Sequence, residues 1–228
     1  MCTRYSLKNL EALKAFFEQL ADLSGDEYQP RYNVALTTPM PVFTQRDVPT
    51  LERMPFGLTM PSRAPGEKGT LLANARAETA QEKPTFRGAV GHRRCLIPAD
   101  GFYEWEKIGA RRLPHYFSMK DGRPFFFAGL WNPARDDTPA GFCIMTTTPN
   151  ELLQPIHDRM PVILGPNSGH AWLGSEPLEP EAFNHLCRPL PAEMMTGHRV
   201  DPKVNRLQYE APDCIDPLPS GPAAGELF

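Results

Sequence analysis

Proline is the feature of this sequence that most constrains the fold. The 228 residues include 26 prolines, a share of about 11%, against a usual share of about 5%. Proline lacks a backbone donor and is excluded from helix interiors and central strands. The composition therefore disfavours long helices, coiled coils and helical solenoids. We predict an α+β fold made of short strands, many turns and a few short helices.

The composition also bounds the class of protein. Hydrophobic residues make up 41% and charged residues 22% of the chain, which excludes a wholly disordered protein. At roughly 150 residues per domain, one domain of generous size is expected. No apolar run approaches the roughly 18 residues of a transmembrane helix, and the N-terminus lacks the apolar stretch of a secretory signal. We therefore expect a cytoplasmic protein with no membrane partner.

Local patterns predict individual elements. Apolar side chains at steps of three and four residues predict a helix over Leu7–Leu23, with Ser6 as its N-cap. His115–Lys120 and Pro124–Leu130 flank Asp121-Gly122, a dipeptide typical of the tight turn of a β-hairpin. The strands together predict a single domain with a mixed, largely antiparallel, barrel-like sheet.

Cysteine and histidine usage bears on redox state and metal binding. The chain has five cysteines, an odd number, and no Cys-x-x-Cys pair. Without a secretory signal, this pattern indicates reduced thiols and not a disulfide framework. The six histidines show neither a His-Glu-x-x-His motif nor the spacing of Cys/His ligands. We predict neither a metal site nor a cofactor.

The charge of the whole chain differs from the charge of its middle. The formal net charge is -3, which argues against bulk, non-specific binding to nucleic acid. Residues 74–112 carry eight basic and five acidic side chains, a local excess of +3. A solvated surface and a local basic groove both fit this excess.

Cys2 is the first candidate for chemistry. Removal of Met1 leaves a free α-amine beside the thiol of Cys2, and the two groups have ordinary pKa values of about 8 and about 8.5. Such a 1,2-aminothiol condenses with an aldehyde to an imine, and its thiol then closes on the imine carbon to form a thiazolidine ring. An internal cysteine cannot do this. The alternative is an ordinary residue in a frayed terminus.

Two titratable side chains lie in motifs suited to acid–base catalysis. Glu104 stands among aromatic residues at the end of an apolar stretch, where desolvation raises the pKa of a carboxyl group. His157 titrates near neutrality, and Asp158 or Arg159 could orient it. The alternatives are an outward-facing Glu104 on an alternating strand and a structural His157.

A further cluster has the residue types that contact a sugar and a phosphate. Strand alternation places Asn74 and Arg76 on one side, where the amide can donate and accept and the guanidinium can hold a phosphate. Arg4 lies two residues from Cys2 and is another candidate phosphate anchor. Each of these signals is weak alone, and their combination carries the interpretation.

Five motifs follow one another along the chain. They cover Met1–Tyr5, Pro30–Ala35, Asn74–Thr79, Arg94–Trp105 and His157–Val162. This arrangement closely resembles the SOS-response-associated peptidase (SRAP) family over roughly residues 2–208. The resemblance implies an SRAP domain at residues 1–208, followed by a Pro/Gly-rich C-terminal tail at residues 209–228 that we expect to be loose.

The resemblance also implies a function. SRAP proteins act in the response to DNA damage: they bind single-stranded DNA, or single-strand/double-strand junctions, and crosslink covalently to abasic sites. The implied nucleophile is Cys2, exposed by autoproteolytic removal of Met1, and the implied product is a thiazolidine. The imine intermediate also implies strand cleavage by β-elimination as a lyase side activity.

The same resemblance assigns site residues by position. Glu104 and His157 are the implied acid–base residues, and Asn74 holds the abasic sugar or Cys2. The resemblance implies DNA contacts at Arg4 and Arg76, and we predict further DNA contacts at Arg63 and Arg159. The segment Phe56–Arg63 corresponds to a block in which the family carries two tryptophans, and this chain has neither.

Two other functions fit these residues. A cysteine-dependent peptidase acting on other proteins would pair Cys2 with His157. A non-catalytic module for single-stranded DNA would show weak, salt-sensitive binding and nothing more. An abasic-site protein would have single-stranded and abasic-site DNA as partners, and we expect it to be a monomer that associates with the nucleoid when bound to damaged DNA.

Overall fold

The computed structural model describes residues 2–10, 28–45, 49–60, 69–135 and 138–219. These residues form short strands and a few short helices, as the proline content predicts. The strands are β1 Tyr5–Leu7, β2 Arg31–Val34, β3 Pro39–Gln45, β4 Pro49–Pro55, β5 Leu58–Met60, β6 Thr70–Leu72, β7 Asn74–Arg76, β8 Arg94–Ala99, β9 Gly101–Ile108, β10 Arg111–Met119, β11 Phe125–Asn132, β12 Gly141–Thr147, β13 Met160–Pro161, β14 Ile163–Leu164 and β15 Met195–Arg199. The α-helices are α1 Ala77–Ala80, α2 Arg87–His92, α3 Pro166–Leu173 and α4 Pro180–Leu186, and 3₁₀ helices cover Ala192–Met194, Pro202–Asn205 and Pro212–Ile215.

The strands of the described residues form two large sheets and one small sheet. The first large sheet has the order β15-β10-β9-β1-β2, with antiparallel pairing throughout. The second has the order β13-β12-β11-β8-β3-β4, with β14 beside β11 and β7 parallel to β12. Strands β5 and β6 form the small sheet. The α+β class and the mixed, largely antiparallel pairing are confirmed, and the sheets stay separate and do not close into a barrel.

Aromatic side chains join the two large sheets. Phe127 of the second sheet packs edge-on against Tyr5 and Phe102 of the first, with ring centroids 5.7 and 6.0 Å apart. All three side chains are fully buried. Burial of one such side chain stabilises a fold by about 1.5–3 kcal/mol. These contacts hold β1 and β9 against the second sheet, and so they position the chain before β1 and the middle of β9.

The prediction of a hairpin around Asp121-Gly122 is wrong, because the two strands that flank this turn do not pair with each other. A turn is present there, with Gly122 at φ 72°, but β10 pairs with β9 and β15, while β11 pairs with β8, β12 and β14. The physical reason is the run Phe125–Phe127, which is buried in the core of the second sheet, since tertiary burial outweighs a local turn preference. The hairpin of the first sheet is β9–β10, which turns at Gly109 with φ 58°.

The two ends of the chain also differ from expectation. Most of the predicted helix Leu7–Leu23 lies outside the described residues, and its predicted N-cap, Ser6, is inside strand β1. Residues 209–219 are not loose, because Glu210 accepts a hydrogen bond of 3.0 Å from Asn33 N–H and Cys214 is fully buried. These contacts attach the segment to β2, and the domain boundary at residue 208 stays a prediction.

Candidate active site

A cavity of about 530 Å³ lies beside β9 and the segment that precedes β1. Its walls combine acidic, basic, aromatic and polar groups. They are Thr3, Arg4, Glu104, Trp105, Lys107, Arg112, His157 and Asn205. Its volume falls within the range of roughly 300–1,000 Å³ that is usual for small-molecule sites. The structure thus brings together Arg4, Glu104 and His157, which the sequence predicts for the site.

Cys2 precedes these wall residues and is buried. The N–H of Tyr103 donates to Arg4 O at 3.0 Å, which aligns the N-terminal segment with β9 and brings it alongside Glu104. Burial raises the pKa of the Cys2 thiol well above its ordinary value, and the charge of Glu104 adds to the effect. The thiol is therefore protonated in this state, and it donates to Arg4 O at 3.7 Å.

Glu104 is at the last buried position of β9. Residues 101–104 are buried, and the strand becomes progressively exposed from Trp105 onward. Only 1% of Glu104 is exposed, so the outward-facing alternative is excluded. Burial raises the pKa of Glu104 to about 7 because the carboxylate loses hydration. Such a group can both donate and accept a proton near neutral pH.

His157 faces Glu104, with Nε2 4.0 Å from Glu104 Oε2. Asn150 organises the turn that leads to it: Asn150 Oδ1 accepts from Leu153 N–H at 3.1 Å, and His157 N–H donates to Leu153 O at 2.9 Å. Burial lowers the pKa of His157. The ring is therefore neutral at neutral pH.

The environment of Nδ1 determines where the proton of the neutral His157 ring lies. Arg159 N–H donates to Nδ1 at 3.0 Å, so Nδ1 keeps its lone pair and the proton is on Nε2, on the side of Glu104. Asp158 Oδ1 lies 2.9 Å from the same Nδ1. Since Nδ1 of the neutral ring cannot donate to this oxygen, Asp158 stabilises the protonated ring.

Asn74 joins the second sheet to the N-terminal segment. It pairs with Ile144 in the parallel ladder of β7 and β12, and its Nδ2 donates to Cys2 O at 3.0 Å. Its Oδ1 is buried and has no hydrogen-bond partner among the described residues. Asn74 thus holds the carbonyl group of Cys2 and keeps one acceptor available.

Arg4 is buried in contacts with the protein itself. Its Nη1 donates to Asn33 Oδ1 at 2.5 Å and to Val204 O at 3.1 Å, and Nη2 donates to Asn205 O at 3.4 Å. Only 8% of the residue is exposed. Protein oxygens accept from both terminal nitrogens of the guanidinium group. The geometry therefore favours a role of Arg4 in positioning the N-terminal segment over the predicted phosphate contact.

Arg159 is also bound to the protein. It forms two parallel hydrogen bonds of 2.8 Å with the carboxylate of Glu78 in α1, and a third of 2.6 Å to Thr146 O in β12. Only 8% of it is exposed. Bidentate pairing and burial assign Arg159 to a structural bridge, and they speak against the predicted DNA contact.

The remaining predicted residues lie in different environments. Arg76 ends β7 and is exposed, whereas Asn74 on the same strand is half-buried. An exposed guanidinium beside the site is available to an anion. Arg63 and Met1 lie outside the described residues.

The cavity also contains residues that sequence reasoning missed. Trp105 follows Glu104, and its Nε1–H donates to Asn205 Oδ1 at 2.7 Å, a contact between residues 100 positions apart. Lys107 and Arg112 are direct partners in the β9–β10 register. The local excess of positive charge was a signal for the two cations, whereas no sequence pattern points to Asn205.

The described residues also show the state of the cysteines, the arrangement of possible metal ligands and the length of the helices. All five cysteines are free thiols. Across the described ranges, no group of three or more His, Cys, Asp or Glu side chains is arranged to hold a metal ion. None of the described helices is long and apolar enough to cross a membrane.

Several named proteins are similar in sequence to this chain. Abasic site processing protein YoqW of Bacillus subtilis (strain 168) is 34% identical over 222 residues, which cover 95% of this chain and 99% of that protein. Abasic site processing protein YedK of Escherichia coli (strain K12) is 32% identical, with coverage of 82% and 85%. Abasic site processing protein HMCES of Xenopus tropicalis is 28% identical, with coverage of 85% and 68%.

Solved structures and a family model agree with these similarities. A crystal structure of a protein from Bacteroides thetaiotaomicron has a TM-score of 0.77 at 25% identity and covers 95% of this chain and 100% of that one. The family model described as SOS response associated peptidase (SRAP) matches residues 1–207. Because this match spans nearly the whole chain, the protein belongs to the SOS response associated peptidase (SRAP) family.

Proposed function

We propose that this protein processes abasic sites in DNA by trapping them covalently at Cys2 once Met1 has been removed. The observation that carries the proposal is the position of Glu104, a buried carboxyl group 4.0 Å from His157, beside the segment that holds Cys2. A buried acid with a pKa of about 7 suits a reaction that needs one proton delivered and another removed. Three relatives whose names contain "abasic site processing" support the same activity.

The first step opens the abasic sugar. An abasic deoxyribose is mostly a closed hemiacetal, which hides its aldehyde. Protonated Glu104 donates to the ring oxygen, while a base takes the proton of the C1 hydroxyl. Neutral His157 is this base once its proton has moved from Nε2 to Nδ1, where it can be donated to Asp158 Oδ1, 2.9 Å away. The C1–O ring bond breaks, and the aldehyde and a free hydroxyl group form.

The second step captures the aldehyde. The α-amine of Cys2 adds to the aldehyde carbon, and loss of one water gives an imine. The thiol then adds to the imine carbon: a C–S bond forms, and the thiol proton goes, by way of Glu104, to the nitrogen. The product is a thiazolidine whose mass equals that of protein plus DNA less one water. The imine that precedes it can also lose the 3′ phosphate by β-elimination, which accounts for a lyase side activity.

Asn74 and Arg76 serve this reaction from β7. The Nδ2 group of Asn74 holds Cys2 O at 3.0 Å, and its free Oδ1 accepts from a hydroxyl group of the opened sugar or from the α-amine. Exposed Arg76 contacts the DNA backbone. The substrate is a single-stranded abasic site, because the sugar must reach a cavity whose catalytic groups are buried.

The two alternatives are less well supported. A cysteine peptidase needs a thiolate paired with an imidazolium, whereas burial raises the pKa of Cys2 and lowers that of His157. A purely non-covalent DNA-binding module gives no reason for a buried carboxyl group whose charged form is costly. Our proposal includes the removal of Met1 by the protein itself. It does not include the cleavage of other proteins, which the site does not require.

Intact-mass spectrometry tests the proposal directly. The purified protein is incubated with a single-stranded oligonucleotide that carries one abasic site. We expect a species that lacks Met1 and has gained the oligonucleotide mass less one water. Cys2→Ala should give no heat-stable adduct. Cys2→Ala and Cys2→Ser both lack the thiol but keep the α-amine of residue 2 once Met1 has been removed, so borohydride should trap an imine in each processed variant although no heat-stable adduct forms.

Two outcomes would contradict the proposal. A heat-stable adduct in Cys2→Ala would assign the nucleophile to another residue. A wild-type protein that lacks Met1 and gives no adduct would rule out the covalent trap. In the second case, turnover of a peptide would favour the peptidase, and salt-sensitive DNA binding alone would favour the binding module.

A further inference from the structure

Two exposed cations at the cavity have no assigned role. Lys107 and Arg112 line the same cavity as Glu104 and His157, and both are exposed. They differ in this respect from Arg4 and Arg159, which are buried and donate to protein acceptors. The charges available to a ligand in this cavity therefore come largely from the β9–β10 hairpin.

The hairpin brings these two charges together. Lys107 and Arg112 are direct partners in the antiparallel register of β9 and β10, close to the turn at Gly109. Side chains of directly opposite residues lie about 5 Å apart at Cβ, and like charges in such a pair destabilise the sheet. The pairing thus costs free energy in the absence of an anion, and an anion bound between the two side chains would remove that cost.

Neighbouring carboxylates do not neutralise the pair. Glu106, which lies next to Lys107 in β9, is within 3.1 Å of His115 Nε2. Neither Lys107 nor Arg112 forms an ion pair within the described residues. Arg111 provides an internal contrast: it is exposed on the same strand, but it is paired with Ile108 and does not line the cavity.

We propose that Lys107 and Arg112 form a phosphate clamp that holds the DNA backbone next to the abasic sugar. The proposal rests on the function proposed above and names two residues that recognise the substrate. A guanidinium group binds a phosphate through two parallel hydrogen bonds, while an ammonium group acts as a compact point charge. The clamp places a phosphate at the cavity wall that also carries Glu104, so that the sugar attached to that phosphate enters beside the acid.

Salt dependence of non-covalent binding measures this clamp. The ligand is a single-stranded oligonucleotide with one tetrahydrofuran residue, an abasic analogue that has no aldehyde and cannot be trapped. The binding constant K is measured at salt concentrations between about 50 and 300 mM. For single strands, each phosphate contact adds about 0.7 to the magnitude of the slope of log K against log salt, so the slope reports how many contacts are made. Lys107→Gln and Arg112→Gln should each lower the magnitude of the slope by about 0.7. Arg111→Gln, which removes the same charge from the same hairpin, should leave the slope unchanged.

The crosslinking assay separates failure of the clamp from failure of the proposed function. With an authentic abasic site at low concentration, the two clamp variants should form the adduct more slowly, and saturating DNA should restore the rate. Equal slopes for wild type, Lys107→Gln and Arg112→Gln would overturn the clamp, and so would a slope that falls equally in Arg111→Gln. Absence of any adduct in the wild type, with the slope differences intact, would overturn the trap and leave the phosphate clamp standing. Since both side chains are exposed, circular dichroism should show wild-type folding for each variant.

Discussion

Glu104 and Glu78 are two carboxyl groups with opposite behaviour. Burial raises the pKa of Glu104 to about 7, and the nearest basic side chain in its cavity is His157, 4.0 Å away. Burial also acts to raise the pKa of Glu78, but hydrogen bonds and charge from Arg159 outweigh it and hold the pKa below its ordinary value. An arginine in bidentate contact thus makes one carboxylate a fixed anion, whereas the other keeps an exchangeable proton.

This difference gives the two carboxyl groups separate roles, one structural and one chemical. The ion pair of Glu78 and Arg159 fastens α1 to β12 and to the segment that follows His157. Glu104 lies at the cavity with a proton that can move. Predictions that exchange or remove these properties therefore test whether the two carboxyl groups have separate structural and chemical roles.

The largest effect is expected from Glu104→Gln. Glutamine keeps the shape of the side chain but cannot exchange a proton, and positioned acid–base groups typically contribute about 10²–10⁴-fold to a rate. The rate of adduct formation with abasic DNA should therefore fall at least about 100-fold. Gel-resolved time courses at saturating DNA measure the rate.

Glu106→Gln is the matched control for this prediction. Glu106 lies two residues further along β9 and contacts His115 at 3.1 Å, away from His157. Its substitution should change the rate by less than about twofold, since it alters only a half-exposed contact with His115 outside the cavity. Equal losses in the two variants would assign the effect to the charge of β9 and not to the proton of Glu104.

The second-largest effect concerns the pH dependence of the free energy of unfolding, which should differ between the wild type and Glu104→Gln. The folded-state pKa of Glu104 is about 7, against an ordinary value of 4.5. Because the folded value is higher, this group contributes stability below pH 4.5 and loses it as the pH rises through 7. The loss amounts to about 3 kcal/mol, most of it between pH 5 and pH 8. Urea unfolding should show this fall in the wild type relative to Glu104→Gln, and parallel pH profiles would contradict the raised pKa.

For Glu78, the pH dependence of stability is expected to have the opposite sign. Its folded-state pKa is lowered, so its contribution to stability is present above the ordinary pKa of a glutamate and is lost as the pH falls through the folded value. Glu78→Gln should therefore destabilise the protein near neutral pH and approach the wild type in acid. A difference that grows toward low pH would show that Arg159 does not stabilise the carboxylate.

Arg159→Ala should have a smaller effect on stability. It leaves Thr146 O without its donor, while half-exposed Glu78 can regain water, so we expect a loss of about 2 kcal/mol. The salt dependence of DNA binding should not change, because the side chain is buried. Thermal unfolding and the oligonucleotide titration measure the two quantities. Unchanged stability together with a weaker salt dependence would restore the DNA contact that the sequence predicts.

The sequence predicts the class of fold better than its connections. Proline content and short apolar runs correctly indicate an α+β protein with mostly antiparallel strands. The turn residues Asp121-Gly122 correctly indicate a turn, but local chemistry does not determine which sheet the next strand joins. Burial of Phe125–Phe127 decides that, and burial depends on contacts with residues far away in the chain.

The predicted site residues show a similar division. Cys2, Glu104 and His157 lie in sequence motifs dense enough to be singled out, and the last two line one cavity. Arginine by itself does not reveal whether its guanidinium will meet DNA or protein. Arg4 binds Asn33 and a carbonyl group some 200 positions away, and this kind of long-range pairing leaves no local pattern.

The smallest predicted effect concerns Asp158, the exposed neighbour of His157. Its Oδ1 lies 2.9 Å from Nδ1, but 84% of its side chain is exposed, so water screens the interaction. Exposed ion pairs contribute about 0.2–1 kcal/mol, and Asp158→Asn should therefore lower the pKa of His157 by less than about 0.7. An NMR titration of the imidazole measures the shift, with Asp121→Asn as a control of the same charge, since Asp121 follows the end of β10 opposite the cavity residue Arg112. A much larger shift would mean that Asp158 turns inward and, like Arg159 with Glu78, stabilises the charged form of its partner; Asp158 would then oppose the burial that lowers the pKa of His157 more strongly than an exposed side chain can.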